Sequence, residues 1–342
     1  MSKEKSKPTL EEIAALSEVS VATVSRVINS SSPVSKDLEL RVKQAMQDLG
    51  FEPKRSRSRA KPHVIAFIIP DLMNPALTAV TMAAQEEAEK LDLCLVVLNV
   101  TEKPGRQQQN LQLLKHLSFD GIIILHGQIE PDDLLEEYHL FDIPIVVLGR
   151  TVNSPRVHCI NTDRATGMYQ AVKYLISLNH TEIGYLSGPP EWDLSQVRLQ
   201  GIQRALNEEG LTFNPKFHRW CFPTIEWGFQ VTNSILRLPT YPTAIMTFND
   251  LLAIGALHAI RTFGLTVPDD ISVVGFDDIY LTPHTNPPLT TISQPQHRVG
   301  QLAIEKIYNS LNGYETDLAG FTLLECPLVV RESTAPRKVV HA

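Results

Sequence analysis

The rhythm of hydrophobic and polar positions changes near residue 63. Before it, apolar residues recur at three- and four-residue steps in three short blocks. After it, compact apolar runs alternate with longer amphipathic stretches. The first block opens with Thr9-Leu10-Glu11-Glu12, the spacing of a capping box, in which Thr9 and Glu12 each satisfy a free donor at the helix start. Leu10, Ile13, Ala14 and Leu16 then form a stripe. Glu18-Val19 interrupts it, and Ser20 can cap a second helix over residues 21–29. After Ser30-Ser31-Ser32-Pro33, Ser35 caps a third helix with Leu38, Val42, Ala45, Met46 and Leu49 along one side and Gly50 at its end. Two short helices joined by a tight turn and seated on a third make a helix-turn-helix, or an ordinary three-helix subdomain. On the first reading the second helix enters the major groove of DNA. Val24 and Val27 would then face the small core. Val21, Ala22, Thr23, Ser25, Arg26 and Asn29 are left for bases and phosphates, with Thr9 and Ser20 counted beside them. Arginine suits guanine, Val21 and Ala22 suit a thymine methyl, and the hydroxyls and amide suit either.

From Val64 onward the pattern predicts strands over 64–69, 93–98, 121–125 and 143–148, with helices over 76–90 and 106–117 between them. It restarts with strands over 183–186, 244–248 and 271–276 and helices over 168–178, 197–209, 227–237 and 251–263. Such alternation predicts two doubly wound parallel sheets, an α/β body of two lobes. Ligands of open α/β sheets bind beyond the carboxyl ends of the strands. The polar residues there are Asp71, Asn74, His126, Arg150, Asp163, Asn249, Asp250, Asp277 and Asp278. Carboxylates, amides and guanidinium groups around a cleft are the groups a polyhydroxyl ligand needs, and Trp192 could stack on a sugar ring. There is no Gly-rich dinucleotide fingerprint, Gly-x-Ser-x-Gly elbow, HExxH or phosphate loop, so neither an enzyme nor a cofactor is expected. His116, His126, His139, His158 and His180 are spread without metal spacing.

The run TLEEIAALSEVSVATVSRVINSSSPVS is similar, position by position, to the head of the LacI/GalR family of bacterial regulators. The body segments DLMNP, FDGIII, PIVVLGR, NHTEIGYLSGP, RLQGI, PTAIMTFNDLLAIGA, GLTVPDDISVVGFDD, PPLTTISQP and VVREST resemble its effector domain. The resemblance implies a periplasmic-binding-protein-like body and a homodimer on a double-stranded, pseudo-palindromic DNA operator. It further implies allosteric control by a small sugar-like effector, with repression as the family habit. The alternatives are the same dimer controlled by a protein partner or a phosphorylated metabolite, or a solute-binding protein. It places the base-reading pair on Val21 and Ala22 and the recognition arginine on Arg26. Arg198, Asn249 and Asp277 match recurrent effector contacts, and Gln294, Arg150 and Trp192 fall on pocket positions that vary with the ligand. The expected layout is 1–52 for the head, 53–63 for a basic hinge and 64–334 for the effector and dimerisation domain. Within it the N-lobe takes about 64–161 and 293–321, the C-lobe about 162–290 and 322–334, and 335–342 is a loose tail.

Three departures stand out. The family's hinge helix wedges a leucine into the minor groove, but here Lys54-Arg55-Ser56-Arg57-Ser58-Arg59-Ala60-Lys61-Pro62 puts Ala60 at that position in a linker about three residues shorter. Arg55, Arg57 and Arg59 either contact phosphate and a narrow minor groove or belong to a solvated tether. Many members carry Asp-Asn where this chain has Asp163-Arg164, and Pro223 replaces an aromatic position, with Phe222 beside it.

Composition and charge sharpen this picture. The chain has 342 residues, 43% hydrophobic and 20% charged, enough for more than one domain with ample core. Its net charge of -7 is uneven: residues 1–63 carry twelve Lys/Arg against eight Asp/Glu, or +4, which leaves -11 for the rest. A basic end on an acidic body fits a polyanion-binding head. The charged start MSKEKSKPTLEE lacks a signal peptide's apolar stretch, and no apolar run is long enough to span a bilayer, so a cytoplasmic protein with no membrane partner is expected. Cys94, Cys159, Cys221 and Cys326 have no CxxC spacing and read as reduced core thiols.

Overall fold

Three helices, α1 (Leu10–Ser17), α2 (Val21–Asn29) and α3 (Lys36–Asp48), take up the first blocks in the computed structural model. The structure describes residues 9–29, 34–49, 51, 62–100, 117–125, 143–152, 154, 157–314 and 320–338. The hinge arginines Arg55, Arg57 and Arg59, all but the last residue of the helix expected over 106–117, and His116, His126 and His139 lie outside the described residues. The chain divides into two units, residues 1–62 and 63–342. In the first, Ile13, Ala14, Val24, Val42 and Ala45 form the buried centre, flanked by Leu10, Val19, Val27, Met46, Leu49 and Phe51. Leu16, expected in the α1 stripe, is half exposed. Ser17, one turn after Ile13, takes the buried place instead, its hydroxyl bonded to the Ile13 carbonyl at 2.6 Å.

Among the described residues, the second unit holds two six-stranded sheets. Strands β1 (Val64–Ile69), β2 (Cys94–Asn99), β3 (Gly121–Leu125), β4 (Ile145–Leu148) and β5 (Val157–Thr162) build the first, with helix α4 (Pro75–Lys90) between β1 and β2. Then follow α5 (Arg164–Ser177), β6 (Ile183–Ser187), α6 (Asp193–Glu208), β7 (His218–Trp220), α7 (Ile225–Leu236), β8 (Ala244–Thr247), α8 (Asp250–Thr262), β9 (Ser272–Asp277) and β10 (Thr290–Ser293). Helix α9 (Gln296–Leu311) and β11 (Gly320–Leu324) return to the first sheet, and β12 (Leu328–Val329) closes the second. The strand orders are β11-β5-β4-β3-β1-β2 and β12-β10-β9-β8-β6-β7. Among the described residues, all pairings are parallel except that of the two-residue edge strand β12 with β10. The central strands β1, β3 and β4 are buried along nearly their whole length, as sheets covered on both faces require.

The chain passes between sheets three times, at residues 162–164, 293–296 and 324–328. The last passage follows Leu324, where 322 was expected, because β11 pairs with β5 through Leu324↔Thr162. The closing Arg331-Glu332-Ser333-Thr334 fastens the second lobe. Ser333 donates to Val273 at 2.6 Å and accepts from the Thr290 N–H, while Arg331 meets Asp278 at 2.6 Å. The tail expected to be loose is docked as far as it is described. The Ala335 carbonyl faces His180 at 2.9 Å, the Arg337 N–H reaches Leu178, and Lys338 pairs with Asp269. Cys94 also departs from expectation. It is exposed on the outer strand β2, whereas Cys159, Cys221 and Cys326 are buried. No helix among the described residues is long and apolar enough to cross a membrane.

Candidate functional site

The head presents a polar face because its helices have few apolar residues to hide. In α2, Val24 is fully buried and Val27 sits at the core's edge. Val21, 40% exposed, Ala22 and Arg26 lie on the outer face, with Thr23 and Ser25 half-buried beside them. Asn29 ends the helix. The hydroxyl of Ser20 accepts from the Thr23 N–H at 3.1 Å and meets the Thr23 hydroxyl at 2.9 Å. Thr9 accepts from the Glu12 N–H while Glu12 accepts from the Thr9 N–H at 2.7 Å. Thr9 and Ser20 thus hold helix starts, leaving the outer face to Val21, Ala22 and Arg26. The turn between α1 and α2 is set by Glu18, which is left-handed at φ 53°, and by Arg41, which donates to the Ser17 carbonyl at 2.7 Å. The result is a short helix with apolar and cationic groups outward, the equipment for reading base edges.

In the body, a cleft of about 590 Å³ opens where the chain crosses between lobes. Gly149, Arg150 and Thr151 after β4 line it, as do Asn161–Ala165 at the β5–α5 crossing, the first two turns of α6 and Leu323. Gly149 has φ +83°, and a Cβ there would stand 3.3 Å from the terminal nitrogen of Arg164, so the turn lets that guanidinium reach β4. Beside the cleft, Arg198 of α6 is buried between the rings of Phe248 and Phe276, 4.0 and 3.9 Å from their centroids. It donates to the Phe248 carbonyl and faces Asp277 across 3.7 Å. Asp277 accepts from Gln294 at 2.7 Å, and Gln294 accepts from the Thr162 hydroxyl at 2.9 Å. Gln296 donates to the main-chain carbonyl of Asp277, so two of the lobe crossings, at residues 162 and 294–296, are tied to this one residue and its carboxylate.

That carboxylate is under tension. Burial pushes the Asp277 carboxyl up to about 6, while Arg198 and then Gln294 pull the other way. Its backbone sits at φ 117°, a conformation L-residues rarely adopt, held by the surrounding bonds. Asp250 is more deeply withdrawn. Burial and the charge of Asp277 raise it well above the usual carboxylate range, and it accepts from Thr291 at 2.6 Å and the Ile279 N–H at 2.9 Å. A Cβ on Gly275 would lie 2.1 Å from the Asp250 carboxylate, so that glycine makes its room. Asp250 and Asp278 therefore brace the second lobe.

The predicted effector residues divide into three groups. Arg198, Asp277 and Gln294 form one bonded cluster, extended by Trp192, whose ring meets Phe248 edge-on at 5.9 Å. Arg150 lines the cleft itself. Asn249 caps α8 through the Leu252 N–H and donates to the Pro223 carbonyl, Asn74 caps α4, and Asp71 bends the loop before it by accepting from Met73. Of the eight predicted effector residues, Arg150 is the one that lines this cleft; Asp71, Asn74, Trp192, Arg198, Asn249, Asp277 and Gln294 are not among its lining residues. Sequence reasoning missed Asn161, Thr162, Gln196 and Gln200 as cleft residues, and noted Arg164 only as a departure from a family pattern. Helical phase was the signal available for α6: Gln196 and Gln200 are four residues apart, on one face.

An open reading helix, together with a two-lobed body carrying a polar cleft at its strand ends, defines a DNA-binding regulator with a solute-binding body. Residues 9–54 match the family of bacterial regulatory proteins described as lacI, and residues 172–334 match a periplasmic binding protein-like domain. The repressor CytR of Escherichia coli K12 is 30% identical over 97% of this chain and 98% of its own. The ribose operon repressor of Haemophilus influenzae is 32% identical over 95% and 98%. Among solved structures, the lac repressor dimer bound to operator and the anti-inducer ONPF aligns with TM-score 0.74 at 28% identity. It covers 96% of this chain and 100% of that one. The chain belongs to the lacI family of bacterial regulatory proteins and is a DNA-binding transcription regulator.

Proposed function

We propose that this regulator is a cytoplasmic homodimeric repressor. Its two α2 helices read a pseudo-palindromic operator, and a small polyhydroxyl effector in the body's cleft controls its affinity. It catalyses nothing. The observation that carries the reading is the outward face of Val21, Ala22 and Arg26 on a helix anchored by Val24. Relatives that are repressors support it: CytR and the ribose operon repressor by name, and the lac repressor as an operator-bound dimer. In the body, the Thr162–Gln294–Asp277–Arg198 chain gives the mechanism. A ligand contacting Arg150, Asn161 and Gln196 from the cleft changes the relative energies of lobe arrangements that this chain of bonds couples.

Selection of bound duplexes from a random library tests the DNA half. The expected product is a two-fold symmetric site whose half-sites lie about one helical turn, or a multiple of it, apart. Recovery of unrelated sequences at moderate salt, or sedimentation as a monomer, overturns the reading.

A further inference from the structure

Among the described charged groups at the cleft, the half-buried Arg164 and Arg150 have no carboxylate within ion-pair distance, and Arg164 is the one with a buried, unbonded nitrogen. Arg198 has Asp277, and Asp250 is held by its hydrogen bonds well inside the lobe. Arg164, the first residue of α5, has no carboxylate within ion-pair distance among the described residues. It donates weakly to the Thr162 carbonyl at 3.4 Å, and its Nε is buried with no hydrogen-bond partner. Burial and the neighbouring Arg198 bring its pKa down to about 10, so the group is cationic at neutral pH but poorly solvated. A desolvated, half-satisfied guanidinium is costly in a ligand-free protein and becomes favourable once an oxyanion fills its fork. Its terminal nitrogen lies beside Gly149, next to Arg150, and both arginines line the cleft.

The rest of the lining limits the size of that charge. Asp163, which caps α5 through the Thr166 N–H, and Asp193, in the first turn of α6, also face the cleft. They would repel a phosphate monoester, which carries about -1.5 to -2, more than a single carboxylate. Asn161, Thr151, Gln196 and Gln200 remain for hydroxyl groups.

Resting on the reading of this cleft as the effector site, we propose that it takes a polyhydroxy monocarboxylate, a sugar acid, whose carboxylate is gripped by Arg164 and Arg150. Arg164 thereby sets the ligand class.

Calorimetric titration of the full-length protein with matched sets tests this: glucose, glucuronate and glucose 6-phosphate; galactose and galacturonate; ribose, ribonate and ribose 5-phosphate. In at least one set the acid is expected to bind about tenfold or more tightly than its neutral and phosphorylated counterparts. Arg164→Gln is expected to erase that preference while the ligand-free melting temperature stays level or rises, since an uncompensated charge has been removed. A neutral sugar or a phosphate bound more tightly than the acid overturns the inference but leaves the cleft as the effector site. Binding of no polyol of any class overturns both. An acid preference that survives Arg164→Gln, or a variant that melts well below the parent, assigns Arg164 a structural role and also overturns the inference.

Discussion

The head and the cleft solve recognition with opposite distributions of burial. On α2 the contact groups Val21, Ala22 and Arg26 stand in solvent, and the core beneath them consists of five buried side chains. Around the cleft, Arg198 and Asp277 are almost wholly buried and bonded to each other's neighbours. Contact and stability are therefore separable in the head: an outward side chain can be exchanged without touching Ile13 or Val24. In the body the same groups that shape the site hold the lobe together. Changes at Arg198 or Asp277 should alter stability and ligand response at once, and changes on the outer face of α2 should alter DNA affinity alone.

The strongest challenge to that contrast is Arg198→Ala. It strands the buried Asp277 carboxylate and removes the filling between Phe248 and Phe276. Breaking a buried pair from one side costs about 3–5 kcal/mol, and the fluorescence of Trp192, Trp220 and Trp227, all in the body, reports urea unfolding of that unit alone. A loss below about 1 kcal/mol would mean the pair behaves like a surface one. Arg26→Ala is the complementary case. Losing a base-contacting arginine costs about 1–3 kcal/mol of specific affinity, measurable by gel shift on the selected operator. Amide hydrogen exchange at Ile13, Val24 and Val42, which reports the stability of the head, should not change. If stability falls with affinity, the separation drawn for the head fails.

The same division governs how much could be read from residues in order. The head's site lies on one helix, so spacing alone exposed it: Thr9 with Glu12, Ser20 before Val21, Val24 against Arg26. The cleft assembles from β4, β5, α5, α6 and β11, and no local rule links Gly149 to Asn161 or to Gln200. Strand ends were located well, yet Asp71, Asn74 and Asn249 at those ends act as turn and cap residues. A polar residue after a strand is as often the N-cap of the next helix as a ligand contact, and sequence does not separate the roles. Strand β5 escaped notice because His158, Asn161 and Thr162 break its apolar run. Their partners, Thr322, Thr151 and Gln294, are near in space only. Helix α6 was expected from Val197, where its apolar phase begins, although its polar first turn starts at Asp193.

Two buried titratable groups in the body sharpen the comparison through pH. Asp277, raised to about 6 by burial, favours the folded protein most when protonated. Its contribution is complete below about pH 4, its unfolded value, and is lost as pH rises through about 6. His218, set among Tyr185, Phe213 and Trp220, is lowered to about 4 by burial and then by Arg219. Its contribution is complete above about pH 6.5 and is lost as pH falls through about 4. The two slopes oppose each other in one window. Asp277→Asn should therefore gain on the parent from pH 4 to pH 7, by an amount on the order of 1–2 kcal/mol. His218→Gln should gain in the other direction. Parallel stability curves for parent and Asp277→Asn would show that the carboxylate stays ionised at both ends.

The smallest expected effect lies in the head, at the turn that aims α2. Glu18 caps α1 at φ 53° and ψ 42°, where a side chain meets steric cost that glycine avoids, worth about 1–2 kcal/mol. Against this, Glu18→Gly removes an ion pair with Arg41 at 3.3 Å between exposed groups, worth at most a few tenths. It also loosens the unfolded chain, at a cost of about 0.4–1 kcal/mol. Arg41 keeps its bonds to the Ser17 and Glu18 carbonyls, which need no side chain at residue 18. These contributions nearly cancel, leaving a stabilisation of about 0.5 kcal/mol or less. Hydrogen exchange at the Ile13, Val24 and Val42 amides would resolve it, with protection up to about twofold higher. Operator affinity should be unchanged, because residue 18 lies before the reading face. Faster exchange in the variant would assign the turn's geometry to the Glu18–Arg41 pair, and the separation of contact from stability in the head would then stop short of its turn.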